Sequence, residues 1–301
     1  SFPGTVRGGI NELEFLQKMA VCHITDPNML SFSQKITPYF QLIVDIDLKL
    51  DPSYEGYWLQ EEWVVKTGEI LADILSNVFP GIKGREFPLF VTCVPKDGVS
   101  IEKNGYKKTG CHFRCIRRCS YESSGYLDWV KETSSLPIDL RTGLYVNVKE
   151  ALYIRQVLIQ RMKNELPHPP DGVTFEDIVD EAIYKNGGLR FLHNGKKPRK
   201  CGSNHKEVNC TLCSPVMPGF ITSSRKYICK YAVKVDGTMD HSFIDQYEMN
   251  REDSLAVLVR TWWMMSIGLY TPLDMATHQF YNSLIKDVKS KTMQGEMVRY
   301  Y

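Results

Sequence analysis

The 301-residue sequence predicts an α/β fold of the α+β kind, a sheet core with helices packed against it. Three observations carry this. The run "YFQLIVDIDLKLD" at 39–51 alternates with the period of a strand, segments with helical apolar spacing bracket it, and several short apolar runs follow between turn signals.

Residues 11–21 and 58–78 have helical spacing, the second through Leu59, Trp63, Ile70, Leu71, Ile74, Leu75 and Val78. Between them, period two puts Leu42, Val44, Ile46, Leu48 and Leu50 on one face of a strand and Asp45 and Asp47 on the other. "FPLFVTCVP" at 87–95 and the alternating "CHFRCI" form two strands over 87–117, with "KDG" and Asn104-Gly105 as turn signals in a longer connection. On the second strand Gly110, His112 and Arg114 share a face, opposite Cys111, Phe113 and Cys115. Residues 147–166 read as an amphipathic helix ended by "PHPPDG". "TFEDIVDEAIY" at 174–184 stays open: Thr174-x-x-Asp177 is a capping pattern for a helix, whereas the Ile and Val content favours a strand. "KYICKYAVKVDG" at 226–237 reads as a strand and 251–292 as mostly helical. The expected organisation is a core over 1–236, carrying a cysteine-rich knuckle at 201–213, and a mainly helical part over 237–301.

Composition narrows the class. With 43% hydrophobic and 24% charged residues the chain can bury a sizeable core, so a disordered tail is excluded. No membrane span is expected, because "LAVLVRTWWMMSIGLY" at 255–270 is interrupted by Arg260 and reads as a buried helix. The opening "SFPGTVRGGINELEF" lacks the order of a secretory signal, and nine cysteines, an odd and irregular set, do not make a secreted disulfide framework. A reducing, intracellular setting is the expectation. The net charge of +2 is uninformative, since 37 basic and 35 acidic residues nearly cancel. Local segregation says more: "NGYKKTGCHFRCIRR" at 104–118 and "NGKKPRKCGSNHK" at 194–206 are strongly basic, and "YEGYWLQEEW" at 54–63 is acidic.

Asp45 and Asp47 pose the chemical question. An isolated Asp-x-Asp is more often a solvated pair on a strand. Set among Ile, Val and Leu, two like charges side by side repel unless a cation or basic group lies between them.

Three segments read together give a specific answer. "VDIDLKLD", "KKTGCHF" and "VDEAIYKNGGLRFLHNGKK" resemble, in order and internal spacing, the three motifs of the archaeo-eukaryotic primase superfamily: Asp-x-Asp/Glu, a short strand ending in His, and a hydrophobic-Asp followed by Arg and Lys. The likeness spans about 40–197 and is closest to the branch of large-DNA-virus and herpesvirus primases and eukaryotic primase-polymerases, whose third motif is similar to Asp180, Tyr184, Arg190 and Lys196 here. The resemblance implies an RRM-like palm in which Asp45, Asp47 and Asp180 hold two Mg2+ or Mn2+ ions. It further implies that Lys108, His112, Arg190 and Lys196 contact the incoming triphosphate. Gly110 stands where the family often has Ser, removing a possible hydroxyl contact, and "HNG" at 193–195 replaces small hydroxyl residues, so Lys197 is an alternative to Lys196.

"CGSNHKEVNCTLC" adds Cys201, His205, Cys210 and Cys213, four ligands whose types and spacing suit tetrahedral zinc, with Cys229 in reserve. A closed four-ligand set is structural. Ringed by Lys196, Lys197, Arg199, Lys200 and Lys206, the knuckle would offer a basic surface to a template strand.

These readings converge on template-directed synthesis of primers from nucleoside triphosphates on single-stranded DNA, at replication sites in a nucleus or viral factory, with a replicative helicase fused or recruited. The rival readings are a metal-dependent nuclease, against which the triphosphate-suited Lys, His and Arg positions argue, and a non-catalytic zinc-containing nucleic-acid-binding subunit, against which the intact aspartate triad argues.

Overall fold

The computed structural model describes residues 12–25, 33–37, 40–51, 53, 59–79, 89–94, 100–101, 107–116, 144–170, 172–185, 188–194, 196–200, 220–223, 227–234 and 236–266. In chain order its elements are α1 (Glu12–Thr25), β1 (Ser33–Lys35), β2 (Phe40–Gln41), β3 (Ile43–Leu50), α2 (Glu61–Val78), β4 (Leu89–Cys93), β5 (Ser100–Ile101), β6 (Lys107–Cys115), β7 (Tyr145–Val146) and α3 (Val148–Glu165). There follow α4 (Phe175–Ile178), β8 (Val179–Asp180), α5 (Ala182–Lys185), β9 (Gly188–Arg190), β10 (Lys196–Lys200), β11 (Phe220–Ser223), β12 (Ile228–Val233), β13 (Met239–Asp240), α6 (Ser242–Gln246) and α7 (Leu255–Met264).

Among the described residues, seven strands form an antiparallel sheet in the order β13-β12-β4-β6-β3-β8, with β5 added to β6. The chain is therefore α+β, as its sequence predicts. Within the sheet, β3-α2-β4-β6-α3-β8 runs strand, helix, strand, strand, helix, strand, and these four strands lie side by side as β4-β6-β3-β8. That is the split β-α-β layout, in which the first and last strands become neighbours although most of the motif separates them. Three two-stranded ladders, β1 with β9, β2 with β7 and β10 with β11, lie outside the sheet.

Each element has a local cause. α2 begins with Glu61 and Glu62, carboxylates that suit the positive end of the helix dipole, and buries Trp63, Val64, Ile70, Leu71, Ile74 and Leu75. Gly68 lets it approach the sheet: a Cβ there would lie 2.9 Å from Met239 Cε and 3.1 Å from Val233 Cγ2. α3 starts with a full capping box, Asn147 Oδ1 accepting from the Lys149 and Glu150 amides while Glu150 Oε2 accepts from the Asn147 amide. The ambiguous segment 174–184 divides between its two signals. Thr174 and Asp177 form a capping box for the single turn α4, and the β-branched residue that follows, Val179, enters β8 opposite Ile46.

One face of the sheet, with Val44, Ile46, Leu48, Val91, Phe113 and Tyr231, forms a core with Trp63 and Leu71 of α2 and Ile154 and Leu158 of α3. The opposite face forms a second core in which Phe90 and Ala232 join Leu16 and Ala20 of α1 and Leu258 and Trp262 of α7. Strand pairing continues past residue 236: Gly237, at φ +86°, turns a tight hairpin from β12 into β13, with Lys234 N–H donating to the Thr238 carbonyl at 2.9 Å. α7 is buried as the 255–270 run implies for its described part, residues 267–292 of the expected helical stretch lying outside the described residues, and Arg260 is accommodated by donating to the Tyr247 carbonyl and standing 5.7 Å from that ring's centroid. Among the described residues no helix is long and apolar enough to cross a membrane.

A candidate metal centre of three aspartates

The pleat of β3 separates two chemistries. Val44, Ile46 and Leu48 are fully buried in the core on one side, while Asp45 and Asp47 are half-buried on the other. The antiparallel register with β6 places Asp45 opposite His112 and Asp47 opposite Gly110, and the register with β8 places Asp45 opposite Asp180. One carboxylate oxygen from each of Asp45, Asp47 and Asp180 lies within 4.8 Å of the others, so the three form a group that could hold a divalent metal. Three carboxylates offer hard oxygen donors, the type that Mg2+ and Mn2+ take and that zinc thiolate sites do not.

Backbone contacts fix the third aspartate. Asp180 Oδ1 accepts from the Ala182 amide at 2.8 Å, in the turn leading to α5. Arg155 of α3 reaches across to donate to the Val179 carbonyl from Nε and to the Glu176 carbonyl from Nη2, both at 2.8 Å. The two-residue strand β8 is thereby held from the helix layer as well as from β3. Tyr184, from α5, is buried and donates its hydroxyl to the Ile43 carbonyl. Burial first, then the nearby Asp45 charge, pushes its phenol well above the usual range.

Basic groups gather against the carboxylates. Lys108 forms an ion pair with Asp47 Oδ2, reaching diagonally along the shared face of β6 and β3. His112 is buried, with Nε2 3.2 Å from Asp45 Oδ1 and Nδ1 3.5 Å from Thr92 Oγ1 on β4. The Tyr227 ring stacks on the imidazole, with centroids 4.0 Å apart and planes 24° apart, and the Arg190 guanidinium stands 5.4 Å from the Tyr227 centroid. Arg190 Nη1 also donates to the Asn194 carbonyl at 3.5 Å.

Beneath these contacts lies Arg114, only 1% exposed, two residues beyond His112 on the same face. Its Nη2 donates to the Arg190 carbonyl at 2.9 Å and its Nη1 to the Met265 carbonyl at 3.4 Å, joining β6 to β9 and to the end of α7. Burial lowers its pKa to about 10, against the pull of the Asp45 charge. A second set, two buried histidines against a half-buried glutamate, ties the segment after Arg190 to the helices. Glu252 contacts His23 of α1 at 2.8 Å and His193 at 3.6 Å, and His193, at φ +66°, has Nε2 3.0 Å from the Met249 carbonyl.

The structure thus brings together Asp45, Asp47, Asp180, Lys108 and His112, and reaches Arg190 through Tyr227. Lys196 opens β10, whose backbone pairs with Ser223 of β11. The cysteine-rich segment with Cys201, His205, Cys210 and Cys213 lies outside the described residues. Its flanks are joined, because Lys200 pairs with Phe220 across the β10–β11 ladder. Cys229, the reserve ligand, is instead a strand residue buried in the second core, where burial raises its thiol pKa. Sequence reasoning missed Thr92, Tyr227 and Arg155. Thr92 and Tyr227 act across strands whose register no local pattern encodes, and Arg155 is an ordinary charged position on an amphipathic helix.

Compared with protein-family models, curated proteins and solved structures, the chain matches none of them.

Proposed function

We propose that this chain is the catalytic domain of a primase or primase-polymerase, which makes short primers on single-stranded DNA from nucleoside triphosphates. The observation that carries the reading is the convergence of Asp45 and Asp47 of the first motif-bearing segment and Asp180 of the third, with Lys108 and His112 of the second against them. The split β-α-β order of the sheet agrees with an RRM-like palm, in which the first and last strands offer their carboxylates on one surface.

In this reading Asp45, Asp47 and Asp180 hold two Mg2+ or Mn2+ ions. When bound, such ions stabilise the attacking 3′-oxygen and the leaving pyrophosphate. The protein's own groups do the positioning. Lys108 and Arg190, joined by Lys196, neutralise the triphosphate, and His112 both backs Asp45 and borders the phosphates. The basic segments 104–118 and 194–206 carry the template, and a structural zinc on Cys201, His205, Cys210 and Cys213 shapes the second of them. A replicative helicase, fused or recruited, would supply the unwound strand at replication sites.

The test is de novo synthesis. Incubated with single-stranded template, Mg2+ or Mn2+ and labelled nucleotides but no primer, the protein is expected to form dinucleotides and longer products. No product from the intact protein under these conditions would sink the proposal.

A further inference from the structure

We infer that Tyr227 is the positioning residue that ties Arg190, the side chain that grips the triphosphate of the incoming nucleotide, to the His112–Asp45 pair of the aspartate centre; this rests on the function proposed above.

Tyr227 precedes β12, and no feature of the motif-bearing segments marks it. A buried tyrosine among apolar neighbours is by default a core residue, and Tyr227 does belong to the second core. Its two ring contacts set it apart. The imidazole of His112 lies nearly parallel to it at 4.0 Å, and the Arg190 guanidinium approaches the same ring at 5.4 Å. Both contacts use the π face of the phenol. The nitrogen edge of His112 is therefore left to Asp45 and Thr92, and the ring holds the Arg190 guanidinium through its face and charge.

The arrangement also meets a mechanical need. Arg190 sits on a strand of three residues that, among the described residues, pairs only with β1, whereas His112 sits in the middle of the central sheet. A long cationic side chain on so short a support loses much rotamer freedom when it closes on an anion. A rigid ring anchored to the sheet through His112 reduces that loss beforehand, in the manner of preorganisation. Arg114, donating to the Arg190 carbonyl, fixes the backbone, while the Tyr227 ring and the Asn194 carbonyl hold the side chain.

The experiment measures binding of inorganic triphosphate in EDTA, binding of Mn2+ alone, and nucleotide KM and kcat. Tyr227→Leu is expected to weaken triphosphate binding and raise KM about tenfold, with a smaller effect on kcat, while Tyr227→Phe stays within about twofold of the parent. In a double-mutant cycle, Tyr227→Leu should add little to Arg190→Met, because each removes the same unit. Tyr227→Leu with the parent's triphosphate affinity, Tyr227→Phe as damaged as Tyr227→Leu, or independent multiplication of the two losses would each overturn the inference.

A measurement on the unmutated protein guards against a variant that fails to fold. Inorganic triphosphate should shift the NMR signals of the Arg190 side chain, the Tyr227 ring and the His112 ring along one binding curve; movement of Arg190 alone overturns the coupling. The two readings fail separately. Absence of primer synthesis by the intact protein removes the primase proposal, whereas primer synthesis with a KM indifferent to Tyr227→Leu removes only the role of Tyr227.

Discussion

Asp45 of β3 and Asp180 of β8 are direct partners across an antiparallel pair, and Asp45 also faces His112 across β6. A single residue of the central strand thus has a carboxylate on one side and an imidazole on the other. Asp45→Ala and Asp47→Ala are expected to lower both primer synthesis and primer extension by roughly 10³-fold, since charge stabilisation of this kind dominates phosphoryl transfer. Saturating nucleotide should not restore activity. Isothermal titration with Mn2+ should lose its binding heat in the same variants, and an Asp45→Ala protein that primes normally would return the pair to solvated strand residues.

Arg190 and His112 should separate in their effects. Arg190→Ala is expected to raise the apparent nucleotide constant about tenfold and to leave Mn2+ affinity as in the parent. His112→Ala removes the partner of Asp45 at 3.2 Å, so it should weaken both nucleotide and Mn2+ binding. Equal effects on Mn2+ would show that the two residues do not divide the work in this way.

Arg114→Met should cost stability before it costs chemistry. It leaves the carbonyls of Arg190 and Met265 without their guanidinium donor in a buried place, a loss of about 3 kcal/mol. Urea unfolding of the variant against the parent measures this directly, and an unchanged midpoint would contradict the bridging role.

Alkaline pH should loosen the sheet. Burial pushes the Cys115 thiol from 9.0 to about 12, and it raises Cys111 and Cys229 as well. The folded protein keeps protons that the unfolded chain releases above about 9, so this contribution is complete below that pH and declines as the pH rises toward 12. The expected slope is about 1.4 kcal/mol per pH unit for each such thiol. Cys115→Ala should flatten the decline of the urea midpoint between pH 9 and 11; an identical slope would assign it to other groups.

The knuckle should carry metal. Elemental analysis is expected to find about one zinc per chain, lost when Cys210 and Cys213 are both changed to Ser. Fully folded protein free of zinc would exclude it. Single-strand affinity should also fall steeply with salt, with Arg199→Ala and Lys200→Ala reducing the slope.

What could be seen in the sequence was whatever local periodicity encodes. The two faces of β3 follow from period two, and the face shared by Gly110, His112 and Arg114 follows in the same way. The capping box at Thr174 was also visible, but where its helix would end was not. One turn of helix gives way to β8 because Val179 finds a strand partner in Ile46 and its carbonyl finds Arg155, both remote in sequence. That Asp180 would stand beside Asp45 depends on the split β-α-β order, which no spacing within a segment reveals. Tyr227 was invisible for the same reason, since its ring acquires meaning only when β12 pairs with β4 and β4 pairs with β6.

The sheet also divides the site by timescale. Ile43–Leu50 is paired along its whole length with β6 and is flanked on its other side by β8, so its amides should exchange with solvent only through global opening. Gly188–Arg190 has three pairs to β1 and none to the central sheet among the described residues, which places it among segments that open locally at far lower cost. On the function proposed above, product release and entry of the next nucleotide would need only the arginine arm to loosen, with the aspartate platform left closed.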